Sequence, residues 1–173
     1  MSLTPQVTSA DHVRGDVSAM MTLVEFGDYQ CSFCATAVDN IKALQDELGG
    51  RLQFVFRNFP LTQIHPNALA AALVAEAAHP SQFWDLHDLL YANSGQLDPD
   101  SLVAYAREAG VSEDKALAAL DGSTLSRIQQ DIDSGEASGV QGTPAFFVNG
   151  RRYDGDWQGR GLAHALLNSA TTQ

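Results

Sequence analysis

Cysteine is scarce in this sequence. Of 173 residues two are cysteines, Cys31 and Cys34. A secreted scaffold stapled by disulfides needs more of them. A closed zinc site needs four ligands, and two thiols supply half. A bond between residues this close in the chain closes almost no loop, so it stabilises little, and reversible redox chemistry explains the pair better. Basic residues are also few: 10 Lys and Arg stand against 21 Asp and Glu, a net charge of −11. That balance argues against phosphate-backbone binding, and hence against nucleic acid, and against attraction to anionic lipid. The acidity reads as a solubility feature. No apolar run approaches the roughly 18–20 residues that cross a bilayer. There is no G-x-G-x-x-G or Walker pattern, so no nucleotide cofactor is implied. His12, His65, His79, His87 and His164 form no i, i+4 metal pair and read as surface or satisfied core residues.

The length suits one domain or one domain carrying an insertion. Residues 1–20 are polar and mixed, and read as an arm or a short edge element. Met21–Phe26 is a short, mostly apolar run closed by Gly27-Asp28, which predicts a buried central strand. From Phe33 the period changes: Ala37, Val38, Ile41, Leu44 and Leu48 fall at helical spacing, and Gly49-Gly50 ends the segment. Leu52–Phe56 is the next strand. Strand, helix and strand in this order predict a βαβ unit with parallel strands.

Residues 61 to 121 carry helical signals only. An Ala-rich segment runs from Pro66 to Ala78 and stops at Pro80. Ser81 is the expected cap of the next helix, and Asp98-Pro99 and Ser112 start two more. A further helix carries Leu125, Ile128 and Ile132. Strand signals return at Ala145–Val148, turn at Asn149-Gly150 and continue through Arg151–Tyr153. A last helix carries Leu162 and Leu166. The predicted fold class is therefore α/β: residues 1–60 and 122–173 form one sheet-bearing domain, interrupted by an all-helical insertion over 61–121.

Cys31 falls just after the central strand and opens the following helix. Unpaired N–H groups and the positive dipole end at that place stabilise a thiolate. Lowering a thiol from about 8.5 to about 5 raises its ionised fraction at pH 7 roughly thirtyfold. Cys34 lies one turn along and can reach back. Half a zinc site or a pair of structural thiols are the competing readings, and CxxC beside a βαβ pattern favours redox. Pro144 opens a strand, where a cis bond at Thr143–Pro144 would leave the preceding backbone free to pair with a substrate strand. Thr143, Pro144 and Phe33 are thus the candidate substrate-contacting residues. Glu25 lies within the apolar run, where desolvation is expected to raise its pKa and make it a proton donor and acceptor. The competing reading puts it on a solvent-facing side of the sheet.

The stretch Val24-Glu25-Phe26-Gly27-Asp28-Tyr29-Gln30-Cys31-Ser32-Phe33-Cys34, together with Gly139–Gly150, resembles the DsbA-like thioredoxin family. Phe56-Arg57-Asn58-Phe59-Pro60-Leu61 and Phe83-Trp84-Asp85-Leu86-His87 add to the likeness, which covers roughly residues 20–168. The resemblance implies a thioredoxin-like fold with the helical domain inserted after the βαβ half. It makes Cys31 an exposed nucleophile, Cys34 the resolving thiol, Pro144 a cis-proline facing the disulfide and Glu25 the buried acid beneath. Strongly oxidising members carry Pro-His between the cysteines, where the histidine helps hold the thiolate; this chain has Ser32-Phe33.

Sequence and resemblance together point to a dithiol oxidase that exchanges disulfides with protein or peptide thiols as a monomer. It uses no metal or organic cofactor and needs a recycling partner, either a membrane oxidase or a soluble reductant. A reductase of the same fold and a redox-inert binding or chaperone module are the rivals. No basic stretch followed by an apolar one opens the chain, so a cytoplasmic location is expected for the chain as it stands. A periplasmic or extracytoplasmic one is expected where a leader or anchor has been removed.

Overall fold

The computed structural model describes residues 1–170. Alternating apolar side chains and β-branched residues give strands β1 (His12–Gly15), β2 (Met21–Gly27), β3 (Leu52–Asn58), β4 (Ala145–Val148) and β5 (Arg151–Tyr153). They form one five-stranded sheet in the order β1-β3-β2-β4-β5. β2 and β3 are parallel, joined by helix α1 (Ser32–Leu48), and the remaining pairs are antiparallel. The hairpin between β4 and β5 turns on Asn149 and Gly150, both at positive φ (45° and 77°), the combination a type I′ turn requires.

β2 is the central strand, and its side chains alternate between two apolar layers. Met21 and Leu23 join Phe54 and Phe56 of β3 and Phe146 of β4 against Ile41 and Leu44 of α1, Phe83 and Leu90 of α3 (Pro80–Ala92), and Leu162 and Leu166 of α7 (Gly161–Ala170). Val24 and Phe26 face the other way, toward Leu3, Val55, Val140 and Phe147. Glu25 belongs by position to the first layer, and both its strand neighbours, Phe56 and Phe146, are apolar.

Helices α2 (Ala68–Ala75), α4 (Pro99–Glu108) and α5 (Glu113–Leu120) follow β3 and pack with α3 on one another. Leu102 and Ala116 belong to the same apolar cluster as Leu23 and Phe54, so these helices share the core of the sheet. Helix α6 (Leu125–Ala137) lies against β3, with Gly135 packed close to Phe26 and Phe59.

Several local expectations are corrected. Pro80 does not stop a helix but begins one: it is the first residue of α3, capped by His79, whose ring nitrogen accepts from the Ser81 amide, while the Gln82 side chain accepts from the His79 amide. Leu125, expected on the apolar face of its helix, is 46% exposed, as is Leu117, and the small Ala116 and Ala119 fill the buried face of α5. The first residues are a docked arm with β1 as its edge strand. Leu3 is buried and its amide donates to the Gly150 carbonyl. Arg57 is the reason the arm stays down: it is buried, pairs with Asp11 at 2.7 Å, and donates to the carbonyls of Pro5 and Gln6 and to Ser134 of α6.

Candidate active site

The redox segment begins where β2 runs out. The last residue of the strand is Gly27, where a Cβ would sit 2.4 Å from the Phe56 ring and 2.7 Å from Tyr91 Oη. Asp28 then builds the turn. Its carbonyl accepts from the Cys31 amide (3.0 Å) and its Oδ1 from the Gln30 amide (2.7 Å). Cys31 becomes the N-cap of α1 with extended backbone angles, and Cys34 falls on the first turn of the helix. Both thiols are free. Neither is exposed: Cys31 retains 4% of its accessible surface and Cys34 none. The expectation of an exposed Cys31 is therefore corrected; the difference in access is small, and the asymmetry between the thiols is mainly electrostatic.

That asymmetry is large. Cys31 is held down to about 5, first by the Cys34 thiol donating to its sulfur, against the opposing cost of burial. Thr143 and then the amides of Cys34 and Phe33 act in the same direction. The helix start that the sequence singled out thus contributes, but less than the partner thiol. Cys34 is pushed well above its usual value by burial, by its hydrogen bond to Cys31 and by the charges of Glu25 and Cys31.

The loop before β4 faces the pair. The Thr143–Pro144 peptide is cis, and the Thr143 carbonyl oxygen lies 3.5 Å from Cys31 Sγ. Phe33 is 59% exposed beside the cysteines. Glu25 is 1% exposed on the same side of β2 as the α1 layer. Its carboxyl is raised to about 8, first by burial and then by the charge of Cys31. The solvent-facing alternative for Glu25 is excluded. The structure therefore brings Cys31, Cys34, Thr143 and Pro144 together, sets Phe33 at the rim and Glu25 in the core behind.

Asp28, Gln30 and His65 were not singled out by sequence. Asp28 Oδ2 accepts from the Leu61 amide (2.9 Å) and His65 Nδ1 (2.8 Å), and Gln30 Oε1 accepts from the Asn67 amide (2.8 Å). These bonds tie the loop after β3, including the exposed Ile64, to the residues just before Cys31. The available signal was an Asp two residues before an amide it can accept from, at the end of a strand. Its partners in the later loop are 33 and 37 residues away, beyond local pattern. Among the described residues no group of three or more His, Cys, Asp or Glu side chains is placed to hold a metal ion, and no helix is long and apolar enough to cross a membrane.

The lowered thiol carries a direct test. Alkylation of the reduced protein with iodoacetamide at pH 6 is expected to modify Cys31 first, with a rate that rises through a midpoint near pH 5. Labelling of Cys34 first, or a midpoint in the ordinary thiol range, contradicts the assignment.

A family model described as thioredoxin matches residues 7–166. Among solved structures, oxidised BdbD from Bacillus subtilis superposes with a TM-score of 0.84 at 24% identity, over 93% of this chain and 93% of that one. A thioredoxin-like oxidoreductase from Silicibacter pomeroyi also gives 0.84 at 24% identity, over 96% and 95%. The thiol-disulfide exchange protein alpha-DsbA2 from Wolbachia pipientis gives 0.75 at 21%, over 94% and 87%. Among curated sequences, the Na(+)/H(+) antiporter NhaA 1 of Salinispora arenicola is 38% identical over 169 residues, 96% of this chain and 26% of that protein. The Na(+)/H(+) antiporter NhaA of Nitrosospira multiformis is 39% identical over 167 residues, 92% of this chain and again 26% of that protein. The chain spans about a quarter of the length of these curated relatives. By the match along residues 7–166 and the sheet, helices and CxxC segment described above, this chain belongs to the thioredoxin family and carries its fold in the DsbA-like form.

Proposed function

We propose that this chain is a thiol–disulfide oxidoreductase acting on protein or peptide substrates, and that it works as a dithiol oxidase. The observation that carries the reading is the opposed behaviour of the two thiols: Cys31 held near 5 and Cys34 pushed up. A low-pKa Cys31 is a good leaving group and stabilises the reduced form, which makes the disulfide form the more oxidising. In the oxidising direction a substrate thiolate attacks Cys31 Sγ, the Cys31–Cys34 bond breaks, and Cys34 leaves with the electron pair. A second substrate thiolate then attacks the substrate sulfur and releases Cys31 as thiolate. A membrane oxidase or soluble oxidant of the disulfide class restores the Cys31–Cys34 bond. Thr143, at the cis peptide, offers backbone to an extended substrate, and Phe33 offers apolar contact. Residues 61–121 act as a helical insertion in a thioredoxin-like domain made of residues 1–60 and 122–173.

In this reading Glu25 carries the proton of Cys34: it supplies one when Cys34 leaves, and takes one when Cys34 must attack. Charge on Cys31 is the second cause of its raised pKa, after burial. Capping Cys31 in a mixed disulfide removes that charge and lowers the Glu25 pKa, so the carboxylate is more available at the step that uses it as a base.

The match to a quarter of proteins named Na(+)/H(+) antiporters favours one extension. The same domain then serves as an accessory of a membrane transporter, and the thiols it exchanges with belong to that transporter. Mixed-disulfide capture from membranes that hold the transporter, as against membranes that lack it, separates this reading from a general protein substrate.

The function is tested by trapping. Cys34→Ser is expected to accumulate a mixed disulfide between Cys31 and a substrate peptide, and Cys31→Ser none comparable. Equal trapping by both variants overturns the division of roles, and trapping by neither favours a redox-inert module. Glu25→Gln tests the proton path and the burial of the charge together. The native carboxyl keeps its proton up to about pH 8 while an unfolded one loses it near 4.5, so wild-type stability falls as pH rises through that window. The variant is expected to match the wild type at pH 4.5 and to exceed it by on the order of 4 kcal/mol above pH 8, read by urea unfolding. Attack by Cys34 on the mixed disulfide is expected to lose its rise with pH in stopped-flow measurements. A variant with the wild-type pH profile ends the relay reading.

A further inference from the structure

Two buried oxygens behind the redox pair, Glu25 Oε1 and Tyr91 Oη, find no hydrogen-bond partner among the described residues. Orphaned buried polar atoms are rare and costly, and two on one side of a sheet are rarer. They lie near enough for the charge of Glu25 to raise the Tyr91 hydroxyl. Side chains two apart on a strand share a face and are about 7 Å apart, so Glu25 and Gly27 point the same way. Tyr91 Oη sits 2.7 Å from where a Gly27 Cβ would be. The missing Cβ at Gly27 leaves room for the α3 tyrosine to approach this face of β2. The glutamate side chain and one bridging water span the separation.

Other groups are committed elsewhere. The Tyr29 hydroxyl is hydrogen-bonded to His87 Nδ1 at 3.0 Å, and burial keeps His87 neutral. The titratable groups around this spot are Cys31 and Cys34 of α1, Asp28 and Tyr29 of the turn, and His87 and Tyr91 of α3. The strands on either side of Glu25 present Phe56 and Phe146, which carry no charge. Asp28 is occupied by the Leu61 amide and His65. Tyr91 keeps its own proton, since burial and then the charges of Cys34 and Glu25 hold its hydroxyl well above its usual value. It is therefore a donor at every working pH.

We infer that the Tyr91 hydroxyl donates, across one bridging water, to the Glu25 carboxylate, and so sets how strongly Glu25 holds the proton it exchanges with Cys34. The inference rests on the reading of Glu25 as the proton carrier. The step balances simply. The Cys34 S–H bond breaks, its electron pair stays on sulfur, and the proton bonds to the Glu25 carboxylate. Tyr91 releases its hydrogen bond to the charge as the charge disappears. Tyr91 is thus a positioning residue that stabilises the ionised carboxylate.

The test reads Glu25 itself. In the oxidised protein neither cysteine titrates, so the Glu25 carboxyl carbon can be followed by NMR against pH without a thiol overlapping it. Removing a donor to a charged acceptor is expected to raise the Glu25 pKa by about one to two units in Tyr91→Phe. The ring packing against Tyr29 (4.8 Å between centroids) and His87 (5.0 Å) is retained. Tyr29→Phe removes a hydroxyl of similar burial that is already committed to His87, and is expected to leave the Glu25 titration at the wild-type value. An unchanged titration in Tyr91→Phe, or an equal rise in both variants, overturns the inference. The titration is independent of turnover. A shift in Tyr91→Phe alongside unaltered Glu25→Gln kinetics therefore ends the relay reading while the Tyr91–Glu25 bond stands.

Discussion

The hydrogen bond from the Cys34 thiol to the Cys31 sulfur is the interaction that organises this molecule's chemistry. It is the largest influence holding Cys31 near 5, and the same bond helps to hold the Cys34 proton in place. One contact therefore pulls two chemically identical side chains apart. It exists because β2 stops at Gly27, Asp28 folds the chain back on the Cys31 amide, and α1 begins at once, setting Cys34 one turn from its partner. The depression does not depend on a histidine between the cysteines; Ser32-Phe33 leaves the work to the partner thiol, Thr143 and two backbone amides.

Burial does the rest, and it works in both directions. A thiolate at Cys31 is tolerated because donors face it. A carboxylate in the core is not, and Glu25 is driven up to about 8 between Phe56 and Phe146. The sheet thus holds, behind the redox pair, a carboxyl that stays neutral up to about pH 8. The buried Arg57 is treated differently: it pairs with Asp11 at 2.7 Å and fastens the N-terminal arm, so this charge pair is spent on structure.

What could be read from the sequence was what is encoded locally. The short, mostly apolar run at Met21–Phe26 and the helical period from Ala37 to Leu48 gave β2 and α1 almost to the residue, and Asn149-Gly150 gave the hairpin. Glu25 stood out as a charge inside an apolar run. Misreadings came where one residue serves two local rules. Pro80 ends one helix in pattern terms and begins another in fact, since its missing N–H is harmless at a first helical position. What could not be read depends on partners far along the chain. Asp28 meets Leu61 and His65, Arg57 meets Pro5 and Gln6, and Tyr91 reaches β2 only because position 27 lacks a side chain.

The central claim is that the electrostatics of the pair favour the reduced state and so make the disulfide an oxidant. Equilibration of the Cys31–Cys34 pair against glutathione mixtures of known potential measures this directly. The account predicts a midpoint toward the oxidising end of the family's range, nearer about −120 mV than about −270 mV. A midpoint at or below about −270 mV means that the lowered Cys31 is not matched by a stabilised reduced state, and contradicts it.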